Sequence, residues 1–234
     1  MDKILLRLSV ISKILILFGF IGWVQAQTTV ATPQMSTAFK AGEDYTELAE
    51  PVVTGEKSKI EVVELFWYRC AGCYSFESIF QAWKKQQQAD VDIVQMPAIW
   101  NKVMELHAKA FYTAKALGKM DEVHQPLFDA LILKRKPIVS KSSIADFFAD
   151  VGVDKNTFDA TFDSFGVQSQ VAIAKARMLS YRVEGTPEVI INGKYRVSLK
   201  KAKTQARMLE IADFLIAKER AKLKNNAVST ANAK

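Results

Sequence analysis

The stretch FWYRCAGCYSFES, residues 66–78, holds both cysteines of the chain, Cys70 and Cys73. It also marks where one kind of structure gives way to another. KIEVVELFWY, Lys59 to Tyr68, is rich in β-branched and aromatic residues and predicts a buried strand. After Cys73, the residues Phe76, Ile79, Phe80 and Trp83 recur at helical spacing and predict a helix to about Gln87. A bond between two cysteines so close together closes a very small loop and constrains little of the unfolded chain. Structural stapling is therefore a poor reason for the pair, and redox chemistry is a better one.

The strand signals around this junction arrange themselves into a unit. VDIVQMP, Val91 to Pro97, predicts a second strand stopped by its proline, so strand, helix and strand make a βαβ motif with a parallel pair. From Asn101 to about Val183 the pattern turns helical. NKVMELHAKAFYTAKALG ends at Gly118, MDEVHQPLFDALILK follows, SSIADFFADVG begins at a serine cap, and DKNTFDATFDS and VQSQVAIAKARMLSY complete the block. PEVIINGKYRV then restores strand character, with Asn192-Gly193 as a hairpin turn. KTQARMLEIADFLIAKERAK closes as an amphipathic helix, and the residues from Asn225 onward are expected to fray.

The expected architecture is α/β, a thioredoxin-like βαβ…ββα core with an inserted all-helical domain. Its divisions are a signal peptide at 1–26, core at 27–97, helical insert at 98–183, core again at 184–223 and a flexible tail at 224–234. Thr186-Pro187 falls where such a core places a cis-proline opposite the redox pair, a plain trans turn being the alternative.

The N-terminus reads as an export leader. Lys3, Arg7 and Lys13 precede ILILFGFIGWV, and VQA at Val24 to Ala26 offers small residues for cleavage before Gln27. The apolar run is short for a membrane span, and an uncleaved anchor is the rival reading. The leader accounts for +2 of the formal +7, leaving +5, partly in AKERAKLK. Solvated helix ends explain that excess without nucleic acid. A zinc site needs four ligands, or three and a water. His107 and His124 are the only histidines, lie in the helical insert and read as ordinary helix residues, so no metal is expected.

Taken together, VVELFWYRCAGC, the inserted helices, EGTPEVIINGKYRV and the leader resemble the DsbA family of exported thiol:disulfide oxidoreductases, over roughly Asp44 to Lys222. The resemblance implies that Cys70 is the attacking sulfur, Cys73 its resolving partner, and Pro187 the cis-proline preceded by Thr186. It matches Glu64 to a buried acid of the family. It implies a periplasmic enzyme without a cofactor that oxidises folding exported proteins and is re-oxidised by a DsbB-like, quinone-linked membrane partner.

The chain departs from the family at Ala71-Gly72, where many members have Pro-His, and at Thr186, where valine is frequent. Ala71 and Gly72 bring backbone N–H groups but no side-chain donor. An isomerase or reductase on the same fold therefore stays open, as does a non-catalytic peptide-binding chaperone. Cys70 is expected at a helix N-terminus, where unpaired N–H groups and the helix dipole favour the thiolate. Glu64 stands in an apolar strand, where an unpartnered carboxylate is costly. It either accepts the Cys73 proton, or pairs with a lysine such as Lys59 or faces solvent. Trp67, Tyr68 and Phe76 belong either to an apolar rim for peptides or to the core. The backbone at Thr186 is placed to pair with an incoming strand.

Overall fold

The structure, a computed structural model, describes residues 39–231. The leader expected over 1–26 and its cleavage point lie outside these residues. The strand before the cysteines is β2, Ile60–Phe66, preceded by a short β1, Thr46–Glu47. Cys70 caps α1, Ala71–Lys84, and β3 follows at Val91–Pro97. β2 and β3 pair in parallel from Ile60 opposite Val91 to Phe66 opposite Pro97, as the βαβ reading requires.

Five helices come next: α2 Lys102–Ala116, α3 Met120–Ile132, α4 Lys141–Asp150, α5 Lys155–Phe162 and α6 Phe165–Ser180. Local chemistry sets several of their starts. Asn101, Asp154 and Ser164 each accept a hydrogen bond from the backbone N–H three residues on, and Ser140 does the same within a reciprocal box with Ser143. The chain returns through β4, Glu188–Ile191, and β5, Tyr195–Ser198, then α7, Leu199–Ala202, and α8, Gln205–Ala231. Asn192 and Gly193 both have positive φ, as their hairpin turn demands. A Cβ on Gly193 would stand 2.0 Å from the Val52 carbonyl oxygen, so this turn also needs glycine for space. α8 runs on to Ala231, beyond residue 224 where a tail was expected to begin.

The sheet order is β1-β5-β4-β2-β3, with β2 lying between β4, to which it is antiparallel, and β3, to which it is parallel. β2 is buried along its whole length because both faces are covered. Val63 and Leu65 pack with the helical block, while Ile60 and Val62 pack with Phe76, Phe80 and Trp83 of α1 and with Leu215 and Ile216 of α8. The end of β2 therefore delivers Cys70 to a rigid, fully packed edge.

Candidate active site

Cys70 is the N-cap of α1, with extended backbone at φ −91°, and its Sγ accepts a hydrogen bond from the Cys73 N–H at 3.2 Å. The first turn carries no acidic residue to oppose negative charge on that sulfur. Across from it, the Thr186–Pro187 bond is cis, and the Cys70 thiol reaches the Thr186 carbonyl at 3.3 Å. A Cβ on Gly72 would lie 3.4 Å from Pro187 Cδ and 3.7 Å from Cys70 Sγ. The position between the sulfurs thus faces both proline and sulfur, and glycine leaves it without a side-chain donor. Ala71 is exposed. Gln205, at the start of α8, donates to the Gly72 carbonyl at 2.7 Å, and Ser75 donates to the same oxygen at 3.0 Å. Both fix the active-site turn, and neither was singled out from the sequence.

The two thiols are free and chemically opposite. Hydrogen bonding from the Cys73 thiol lowers the Cys70 pKa first; partial burial opposes it; the Thr186 side chain and the N–H groups of Cys73 and Gly72 add to the lowering, for a value of about 6. Cys73 is fully buried, and burial, followed by its hydrogen bond to Cys70 and the Cys70 charge, pushes its thiol far above the usual range. Arg69, next in sequence, is exposed.

Glu64 is fully buried in β2 and bonds neither sulfur. Its Oε2 accepts from Gln95 Nε2 of β3 at 2.8 Å, and its Oε1 has no partner among the described residues. Lys59 pairs with Glu56 instead. The same Gln95 nitrogen donates to Glu77 of α1 at 3.1 Å, so one amide holds two carboxylates. Burial first, and then the Glu77 charge, raise Glu64 to about 8. Burial also works to raise Glu77, but hydrogen bonding and attraction from His124 outweigh it and hold the pKa of Glu77 below the usual value. His124 Nε2 lies 3.3 Å from Glu77 Oε1, and its Nδ1 lies 2.8 Å from the Tyr68 hydroxyl. The pair is thus set to hold one proton on Glu64 and one charge on Glu77.

These contacts change the reading of the histidines. His107 and His124 are both buried; His107 accepts from Trp67 Nε1 at 3.1 Å and bonds the Ile138 carbonyl through Nε2 at 2.8 Å. Both lie in helices, as expected, and both are tied into buried hydrogen bonds that the sequence did not indicate. Tyr68 and Phe76 belong to the core, whereas Trp67 is half-buried and lines a shallow depression with Arg69, Asn101, Lys102 and Val103. Glu77 and Gln95 also escaped the sequence reading. A signal existed for Glu77, which shares the buried stripe of Cys73, Phe76 and Phe80 on α1.

Residues 84–210 match the family described as DSBA-like thioredoxin domain. The thiol:disulfide interchange protein DsbA of Pseudomonas aeruginosa is 39% identical over 186 residues, covering 80% of this chain and 88% of that protein. That of Pseudomonas syringae pv. tomato is 39% identical over 191 residues, covering 82% and 89%. The crystal structure of P. aeruginosa DsbA superposes with a TM-score of 0.76 over 80% of this chain and 97% of the other. The oxidoreductase DsbA from Xylella fastidiosa, 35% identical, gives 0.73 over 78% and 98%. The chain therefore belongs to the DsbA family, with its thioredoxin-like fold and helical insert, and is a thiol:disulfide oxidoreductase.

Proposed function

We propose that this protein donates a Cys70–Cys73 disulfide to reduced, folding exported proteins in the periplasm, after loss of a signal peptide near Ala26. The observation that carries this is the split between the thiols: Cys70 is held near 6 while Cys73 is pushed up. A disulfide is the stronger oxidant when its reduced form is better stabilised.

A substrate thiolate attacks Cys70 Sγ, forming a mixed disulfide, and the Cys70–Cys73 bond breaks with its electron pair going to Cys73. A buried thiolate cannot persist at Cys73, so it takes a proton, and Glu64 carries that proton. A second substrate thiolate then attacks the substrate sulfur of the mixed disulfide and expels Cys70 as its stabilised thiolate. Two electrons have moved from substrate to enzyme. The Thr186 backbone, half-buried before Pro187, pairs with the substrate strand, and Cys70, Cys73, Thr186, Pro187, Ala71 and Gly72 form its immediate surroundings. A DsbB-like, quinone-linked membrane protein restores the disulfide.

The test uses the oxidised protein on a reduced, unfolded substrate and the reduced protein on a scrambled one. Oxidation is expected to be the faster activity by about tenfold or more, because thiolate stabilisation favours the reduced enzyme. Faster reshuffling than oxidation would replace this reading with isomerisation.

A further inference from the structure

Cycling Cys73 between thiol and disulfide requires protons to enter and leave a cluster walled by apolar groups. The rings of Phe66, Phe111 and Phe128 surround His124 with centroids 5.2, 5.8 and 5.4 Å away. One side of the cluster is open. Between α1, β3 and the α2–α3 pair lies a groove of about 800 Å³, and Glu77, Gln95 and His124 form part of its lining. The His124 side chain is 10% exposed there. Glu64 does not line it, and its unpartnered Oε1 lies deeper.

We propose that His124 passes protons between solvent in this groove and the Glu64–Glu77 pair during turnover. The inference rests on the reading of Glu64 as the proton carrier of Cys73. Geometry gives the order of stations. Glu64 and Glu77 accept from the same Gln95 nitrogen, so their oxygens lie within two hydrogen-bond lengths of each other. Glu77 Oε1 in turn meets His124 Nε2.

Gln95 donates to both acids from its amide and cannot itself carry a proton. An imidazole can, because it takes up a proton on one ring nitrogen and releases one from the other. When Glu64 gives its proton to Cys73, two carboxylates are left side by side in a buried site, which the site does not tolerate. A proton arriving on Glu77 from the imidazolium removes that repulsion, and the imidazole regains its proton from water in the groove. Re-oxidation of the enzyme reverses each transfer, so protons balance over the cycle.

The groups facing His124 are Tyr68 after β2, Glu77 on α1 and Gln95 on β3. Lys84, Asp92, Lys115 and Asp121 line the groove farther out and set its potential.

The experiment follows mixed-disulfide formation and release by stopped flow for wild type, His124→Ala, His124→Gln and Glu64→Gln, with and without added imidazole. Both His124 variants are expected to slow the proton-dependent step about tenfold or more. Imidazole should restore His124→Ala in proportion to its concentration, an effect that a purely structural loss would not show. The rate of Cys70 alkylation should stay unchanged, reporting an intact active-site turn. Wild-type rates in His124→Gln, or a slowed His124→Ala that imidazole does not restore, would overturn the role of His124 while a slowed Glu64→Gln leaves the carrier reading standing. Unchanged rates in Glu64→Gln would remove the carrier reading, and this inference with it.

Discussion

A small alkylating agent at pH 7 should modify Cys70 of the reduced protein at least about 100-fold faster than Cys73. The thiolate is the reacting form, and with a pKa of about 6 Cys70 is mostly thiolate at this pH. Cys73 combines complete burial with a thiol pushed upward. The alkylation rate of Cys70 should rise with pH and level off above about 6 to 7, where an unperturbed cysteine would still be rising toward about 8.5. Because the Cys73 thiol is the largest cause of the lowered Cys70 pKa, Cys73→Ala should move this midpoint upward, and Cys73→Ser, which keeps a donor, should move it less. Equal labelling of the two cysteines, or a midpoint indifferent to Cys73→Ala, would contradict the arrangement. Peptide mapping by mass spectrometry after timed quenching gives both rates.

Glu64→Gln should make the protein harder to unfold at neutral pH, though slower in turnover. The folded state holds the Glu64 proton up to about 8, while the unfolded chain releases it near the ordinary glutamate value of 4.5. The folded state therefore binds more protons between these values, and stability falls as pH rises through that window, by at most about 1.4 kcal/mol per unit. At pH 7 the deficit is on the order of 3 kcal/mol, the cost of keeping an acid in a site that rejects its charge. Glutamine removes the titration and keeps the bond to Gln95 through its carbonyl. Denaturant midpoints should separate the variant from wild type at pH 7 and bring them together near pH 4.5. A variant less stable than wild type at both pH values would mean that Glu64 is held for packing. Gain of stability with loss of rate is the usual mark of a strained functional group.

The parts of this molecule that were legible in its sequence are those fixed locally. The β-branched run at Ile60–Phe66, the turn at Asn192-Gly193 and the five helices between β3 and β4 follow from period, caps and turn chemistry. The redox pair was legible because its spacing and position admit few other uses. β1 was not, because it is a two-residue strand that exists only by pairing with β5. α7 is one turn capped by Ser198, too short for a periodic signal. The acid–imidazole cluster was hidden for a different reason. Gln95 lies 31 residues from Glu64, and His124 lies 56 from Tyr68, so only the tertiary fold brings them together. The family resemblance carried the match of Glu64 to a buried acid; its burial and its bond to Gln95, with no lysine partner among the described residues, came from the structure.

The potential of the Cys70–Cys73 couple, measured by equilibration with glutathione, decides whether the stabilised Cys70 thiolate makes this protein an oxidant. Thioredoxin, with a cysteine pKa near 7, lies at about −270 mV, and DsbA, the family to which this chain belongs, with a pKa near 3.5, lies at about −120 mV. Those values were measured on those proteins, and they bracket the range open to this fold. With Cys70 at about 6 and no side-chain donor at Ala71 or Gly72, the potential of this couple is expected between the two. A potential at or below that of thioredoxin would show that the Cys70 thiolate is not stabilised enough to drive oxidation, and would contradict the claim.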